Sequence, residues 1–250
     1  FEPTPQDLAA IEDADLVFVN GLDLEEVLVD AIENVASGAV APVSAGIEPL
    51  DKAEEGGEHA EEEDHNHAAD PHFWVDPNNV IVWVENIARA LSDADPANQA
   101  VYQRNAENYL DDLRALDDYI RAQVSRVPEG QRKLVTDHGL YGYFAEEYGF
   151  EIIGTVIPSF TSTAGASAGD VARLVGLVKE TGVPAVFVGA TASQGTRSLA
   201  EALAEEVGSE VRVLPLLSGS LAPAGEPGDT YLGYMRYNID QIISGLAVQP

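Results

Sequence analysis

The stretch KLVTDHGLYGYFAEEYGFEIIGTVI, residues 133–157, decides the fold class of this chain. It starts and ends in short apolar runs, at residues 133–137 and 150–157, which are typical of buried strands. The segment between them, residues 139–148, has the pattern of a helix. A strand, a helix and a second strand in this order predict a parallel βαβ unit.

The same alternation continues to the end of the chain. Strands are predicted at residues 184–189 and 210–216, and helices at residues 167–181, 194–207 and 229–246. We therefore predict an α/β protein whose parallel sheets are covered by helices. Ligands of such sheets bind at the carboxyl ends of the strands.

The amino-terminal part shows a shorter version of this pattern. Residues 15–20 predict a buried strand that Gly21 ends, and residues 39–44 predict another. Helices are predicted at residues 23–36 and at residues 77–91, where Pro77 suits the first turn.

A long periodic stretch, residues 96–127, separates these two parts. It lies between Pro96 and Pro128. Its apolar positions follow a near-heptad spacing: Tyr102, Ala106, Tyr109, Leu113, Leu116, Ile120 and Val124. About 30 residues at 1.5 Å each give a helix of about 45 Å. We expect two lobes joined by this backbone helix, with an amino-terminal lobe at 1–94, the linking helix at 95–127 and a carboxyl-terminal lobe at 128–250.

The composition excludes several classes of protein. The 250 residues carry 43 acidic and 13 basic side chains, a formal net charge of −30, which repels nucleic acid and anionic membranes and is typical of a surface suited to a salty medium. The absence of cysteine excludes disulfides and thiolate metal sites. No apolar run reaches the ~18 residues that span a bilayer.

Residues 51–70 interrupt the pattern with an acidic, histidine-rich stretch that contains no core-forming residues. It holds His59, His65 and His67 among glutamates and aspartates. These three histidines are candidates for an auxiliary loop that collects metal ions. They are equally compatible with solvated spacers that have no function.

Three other residues are candidate metal ligands, because each is predicted at the end of an element. His72 precedes a helix in the segment DPHFWVDP, His138 follows the strand at 133–137, and Asp229 lies at a loop-to-helix junction. Imidazole nitrogen suits zinc and other late transition metals, and a carboxylate can complete the shell. A histidine at an element end is also a common capping group, and Asp229 has the position of a helix N-cap. Spacing alone leaves these interpretations open.

A set of motifs along nearly the whole chain resembles the zinc/manganese substrate-binding proteins of ABC importers, the cluster A-I or ZnuA/TroA-like periplasmic metal-binding family. The motifs are FEPTPQD at 1–7, ADLVFVNGL at 14–22, DPHFWVDP at 70–77, TDHG at 136–139 and GDTY at 228–231. The resemblance implies two lobes on a long backbone helix. It also implies that His72, His138 and Asp229 are metal ligands.

The resemblance carries further expectations about the metal. The family's first ligand is a histidine immediately before the segment that starts at Phe1, so we expect an upstream segment with that ligand, an opening strand and a helix. Some members have glutamate at the position of His138 and tend to bind manganese, so histidine here favours Zn²⁺, with Mn²⁺ as the alternative. The ligands must be neutral imidazoles, so affinity should fall as the pH drops into the range where histidine is protonated.

The implied function is capture without reaction. The chain is expected to be no enzyme but an extracytoplasmic protein, periplasmic or lipid-anchored. It should deliver a metal ion to the ABC permease of an importer, receive metal from a metallochaperone donor, bind no nucleic acid and act as a monomer. The alternatives are a manganese-specific member of the same family, a zinc-dependent hydrolase and a surface adhesin. No His-Glu-x-x-His motif supports the hydrolase, and no repeat supports the adhesin.

Overall fold

The computed structural model describes residues 3–22, 24–50, 69–157, 167–208 and 211–247. These residues form two compact units. The first unit comprises the described residues up to Ala115, and the second those from Leu116 onward. The acidic histidine-rich stretch, with His59, His65 and His67, lies outside the described residues.

The first unit contains a two-stranded parallel sheet and its helices. Its elements are α1 (Pro5–Asp13), β1 (Leu16–Val19), α2 (Glu26–Val35), β2 (Ala39–Pro42), α3 (Pro77–Ala94) and the first part of α4 (Gln99–Val124). Short 3-10 helices occupy Phe73–Val75 and Pro96–Asn98. Leu16 pairs with Ala39 and Val19 with Pro42, so the two strands run in register in the same direction.

Helix α1 was not predicted from the sequence. Thr4 caps it, because the Thr4 side chain accepts from the backbone N–H of Asp7 while the Asp7 carboxylate accepts from the backbone N–H of Thr4. Pro5 stands in the first turn, where proline is tolerated. The signal in the sequence was therefore the capping box at Thr4 and Asp7 rather than an apolar face, since no residue of α1 is buried.

The second unit contains a four-stranded parallel sheet. Its elements after α4 are β3 (Lys133–Thr136), α5 (Gly142–Tyr148), β4 (Glu151–Thr155), α6 (Ala168–Thr181), β5 (Ala185–Gly189), α7 (Gln194–Val207), β6 (Arg212–Leu216) and α8 (Tyr231–Leu246), with a 3-10 helix at Glu129–Gln131. The strand order is β4-β3-β5-β6, so β3 and β5 are central. All five residues of β5 are buried, as expected for a strand covered on both faces.

Helix α8 packs closely on this sheet. A Cβ atom at Gly245 would lie 2.7 Å from the ring of Phe187 and 2.9 Å from Leu214, so only glycine allows this approach. Nearer its start, the Asn238 side chain accepts from the backbone N–H of Leu217 and donates to its carbonyl, both at 2.8 Å. These contacts fix the chain that leaves β6.

The predicted fold class is confirmed: both units have parallel strands with helices between them, and α4 is a long helix. The helix predicted at 23–36 begins only at Glu26, because Gly21 and Leu22 have φ angles of +91° and +53° and form a turn. The division into a lobe at 1–94, a linker at 95–127 and a lobe at 128–250 stays a prediction. No helix among the described residues is long and apolar enough to cross a membrane.

Candidate metal centre

His72 is oriented by a carboxylate two residues before it. The Asp70 Oδ1 atom accepts from the backbone N–H of His72 at 2.9 Å and lies 2.6 Å from the ring Nδ1 atom. A carboxylate that accepts from Nδ1 favours the neutral tautomer with its proton on Nδ1 and its lone pair on Nε2. Both side chains are about nine-tenths buried, with exposures of 10% and 8%. The contact with Asp70 thus fixes the orientation of the ring.

The segment around His72 is anchored to the carboxyl end of β1. Asn20 follows β1, and its side-chain amide donates to the carbonyl of Pro71 at 3.0 Å. Phe73 and Val75 are fully buried just after the histidine, and the Asp76 side chain caps α3 by accepting from the backbone of Asn78. The histidine therefore stands on a rigid part of the first unit.

His138 is oriented in the same way at the carboxyl end of β3. The Asp137 Oδ1 atom accepts from the backbone N–H of His138 at 3.1 Å and lies 2.9 Å from its Nδ1 atom. The Thr136 hydroxyl donates to the carbonyl of His138 at 2.9 Å. The His138 side chain is 31% exposed and the Asp137 side chain 10%. As at His72, a buried carboxylate lies beside Nδ1, and the histidine is the more exposed side chain of the pair.

Asp229 lies in the loop that follows β6 and is exposed. Its Oδ2 atom accepts from the backbone N–H of Gly225 at 2.8 Å, which closes the loop. Gly228 precedes it with a φ of +95°, and a Cβ atom there would lie 2.3 Å from Leu217. The alternative that Asp229 is the N-cap of α8 was wrong. Thr230 is the cap, and its hydroxyl accepts from the backbone of Gly233 at 3.2 Å.

Within each unit, the described residues bring together no group of three or more histidine, aspartate or glutamate side chains that could hold a metal ion. His72 belongs to the first unit, and His138 and Asp229 belong to the second. The three-ligand shell predicted from the sequence therefore stays a prediction. So does the auxiliary role of His59, His65 and His67.

Asp70 and Asp137, the two carboxylates beside the histidine rings, were not among the residues predicted from the sequence to belong to the site. A signal was present, because an aspartate directly precedes His138 and another stands two residues before His72. At this spacing an aspartate can reach the backbone N–H of the following residues. The structure adds that the same oxygen also reaches the ring nitrogen.

A buried phenol, that of Tyr141, lies near Asp137. Tyr141 is 3% exposed, and its hydroxyl has no hydrogen-bond partner among the residues the structure describes. Burial raises the pKa of Tyr141 well above its ordinary value, and the nearby Tyr234 and Asp137 raise it further. The hydroxyl of Tyr141 therefore stays protonated at neutral pH.

Known proteins are similar to this chain over almost its whole length. The family model of ZnuA, described as zinc-uptake complex component A, periplasmic, matches residues 1–245. The manganese-binding lipoprotein MntA of Halalkalibacterium halodurans is 36% identical over 99% of this chain and 77% of its own length. The iron-binding protein YfeA of Yersinia pestis is 32% identical over 98% of this chain and 74% of its own.

A solved structure agrees with these sequence relatives. The periplasmic zinc-binding protein TroA from Treponema pallidum superposes with a TM-score of 0.82 at 28% identity, over 99% of this chain and 86% of its own. Other relatives are described as metal or manganese ABC transporter substrate-binding lipoproteins. The chain therefore belongs to the ZnuA family of periplasmic metal-uptake proteins, and it is the metal-binding, substrate-binding protein of an ABC importer rather than an enzyme.

Proposed function

We propose that this chain captures one zinc ion with His72, His138 and Asp229 and delivers it to the permease of its importer. The observation that carries the proposal is the pair of histidines whose Nδ1 atoms lie 2.6 Å and 2.9 Å from buried aspartates. This arrangement is common for metal-ligating histidines, because it fixes the tautomer and raises the basicity of Nε2. Both histidines that the structure describes share it, and a residue that only caps an element needs no carboxylate beside its ring.

Ligand chemistry supports zinc as the cargo. Two imidazoles and one carboxylate suit zinc, whereas manganese is better served by a shell of oxygen ligands. The relatives are named for manganese, iron and zinc, so their names support a metal without choosing it. The manganese-specific function is the alternative that the first experiment must address.

The first experiment is metal retention. The chain is stripped with a chelator, incubated with excess Zn²⁺ or Mn²⁺ in separate samples, passed through a desalting column and analysed by native mass spectrometry. We expect one zinc ion per chain to be retained and manganese to be lost, because imidazole ligands bind manganese weakly. Manganese retained at one ion per chain would reassign the cargo. Retention of neither metal would overturn the capture of zinc by this chain.

We further propose that the stretch from Glu58 to His67 collects metal for the main site. Its support comes from the sequence and from its point of attachment. The backbone N–H of Asp70 donates to the carbonyl of Leu50 at 2.8 Å, so the described residues on the two sides of this stretch are neighbours. Asp70 is two residues from His72. A donor protein that supplies metal to this stretch is part of the same proposal.

Deletion of residues 58–67 tests this role. We expect the zinc affinity measured at equilibrium to stay within about twofold, since the stretch contributes none of the proposed ligands. The rate of zinc uptake from a dilute chelator-buffered solution should fall, because three exchangeable histidines are lost. The matched control replaces His59, His65 and His67 by serine and keeps the length. An unchanged uptake rate in both variants would remove the collecting role.

A further inference from the structure

The carboxylate of Asp137 has two partners on different strands. Its Oδ1 atom accepts from the backbone and ring of His138, as described above, and its Oδ2 atom accepts from the backbone N–H of Gly189 at 2.8 Å. Gly189 ends β5, the strand beside β3. Both carboxylate oxygens of Asp137 therefore have a hydrogen-bond partner. The side chain is held at both ends, so it can hold the ring of His138 in turn.

The space around this carboxylate is closed. A Cβ atom at Gly189 would lie 2.9 Å from Asp137 Oδ2 and 2.3 Å from the Ser218 hydroxyl. Asp137 is 7% exposed and Ser218 8%. The regular pairing between β3 and β5 is brief, with Thr136 beside Phe187. The hydrogen bond between Gly189 and Asp137 therefore adds a connection between these two strands, directly before His138.

We propose that Asp137 is the positioning residue that fixes His138 as an Nε2 ligand, by holding the proton on Nδ1 while it is itself held by β5. This inference rests on the proposed function of His138 as a metal ligand. The proposed role concerns which of the two ring nitrogens of His138 carries the proton. A neutral imidazole has one proton, and only the nitrogen without it can bind a metal ion. The carboxylate accepts and cannot donate, so it leaves Nδ1 no role except donor.

An asparagine at this position would reverse that choice. Its amide has one oxygen and one NH₂ group, so it can accept on one side only. The backbone N–H of Gly189 is buried, whereas that of His138 is only partly buried. A buried donor loses more free energy without an acceptor, so the amide oxygen is expected to face Gly189. The NH₂ group then faces His138, donates to Nδ1 and shifts the ring proton to Nε2.

The experiment compares the parent with Asp137→Asn, both free of metal at pH 8, by ¹⁵N NMR of the histidine rings. The His138 signals are identified by their loss in His138→Ala. In the parent we expect the proton on Nδ1, and in Asp137→Asn a shift toward the tautomer with the proton on Nε2. Zinc affinity of Asp137→Asn should fall about tenfold, the scale of other partners of metal-bound histidines. Asp170→Asn, which alters a capping carboxylate of α6, should change neither quantity.

The outcomes separate this inference from the proposed function. If His138→Ala binds zinc like the parent, the proposed ligand set fails and the positioning role fails with it. If His138→Ala loses zinc while Asp137→Asn keeps both the Nδ1 proton and the parent affinity, only the positioning role is overturned. If Asp137→Asn does not fold, the test is the position of the His138 ring proton in the spectrum of the parent. A parent ring with its proton on Nε2 contradicts the inference.

Discussion

Replacing His138 with alanine is expected to weaken zinc binding at least about 100-fold, or about 2.7 kcal/mol. The imidazole is proposed as one of the direct ligands, and alanine offers no donor atom in its place. Its Nδ1–carboxylate contact is also lost, so the second unit would contribute only Asp229. Metal-free stability should change by less than about 1 kcal/mol, because the side chain is 31% exposed and lies in a turn after β3.

The measurement is a competitive titration of zinc against a chelator of known affinity, beside metal-free thermal melts. His67→Ala is the matched control, since it removes an imidazole that lies outside the proposed ligand set. It should leave equilibrium affinity within about twofold. Equal affinities for the parent and His138→Ala would contradict the assignment of this histidine. A large loss in both variants would add His67 to the ligand set.

Replacing Asp229 with asparagine is expected to weaken zinc binding at least about tenfold, or about 1.4 kcal/mol. An amide keeps the shape and one acceptor oxygen but loses the negative charge that a zinc ligand supplies. The bond from the backbone of Gly225 to Asp229 can be kept by the amide oxygen. Metal-free stability should therefore stay within about 0.5 kcal/mol, as for an exposed loop residue.

The contrast variant for this test is Thr230→Ala, one residue further on. Thr230 caps α8, so its loss should lower metal-free stability by about 1 kcal/mol. The two variants thus separate the capping hydroxyl from the proposed ligand carboxylate. Both are compared by zinc titration and by urea unfolding without metal. Parent-like zinc affinity in Asp229→Asn would show that the carboxylate only closes its loop.

Much of the fold could be predicted from the sequence, because the second unit alternates apolar strands and amphipathic helices. The predicted helix at 194–207 has the bounds that the structure gives to α7. Predictions were weaker in the first unit for a physical reason. Helix α1 buries none of its residues, so it has no apolar periodicity to detect. The start of α2 depends on two positive φ angles, at Gly21 and Leu22, and the second lies at a residue that rarely adopts one.

Only part of the candidate site could be predicted from the sequence. The positions of His72 and His138 at element ends followed from the strands and helices around them. The choice between Asp229 and Thr230 as the cap of α8 did not, because both residue types are common caps and they are adjacent. The roles of Asp70 and Asp137 depend on which oxygen meets which nitrogen, and this is decided by side-chain geometry. The tie from Asp137 to Gly189 joins residues 52 positions apart and has no local signal.

His72, His138 and Asp229 are proposed to bind the same metal ion. The most direct test is a crystal structure of the zinc-loaded chain with anomalous data collected on both sides of the zinc absorption edge. We expect one strong anomalous peak, with the Nε2 atoms of both histidines at about 2.0–2.1 Å and an oxygen of Asp229 at about 2.0–2.2 Å. A zinc peak bound by other residues, with these three side chains away from it, would show that the proposed ligand set is wrong.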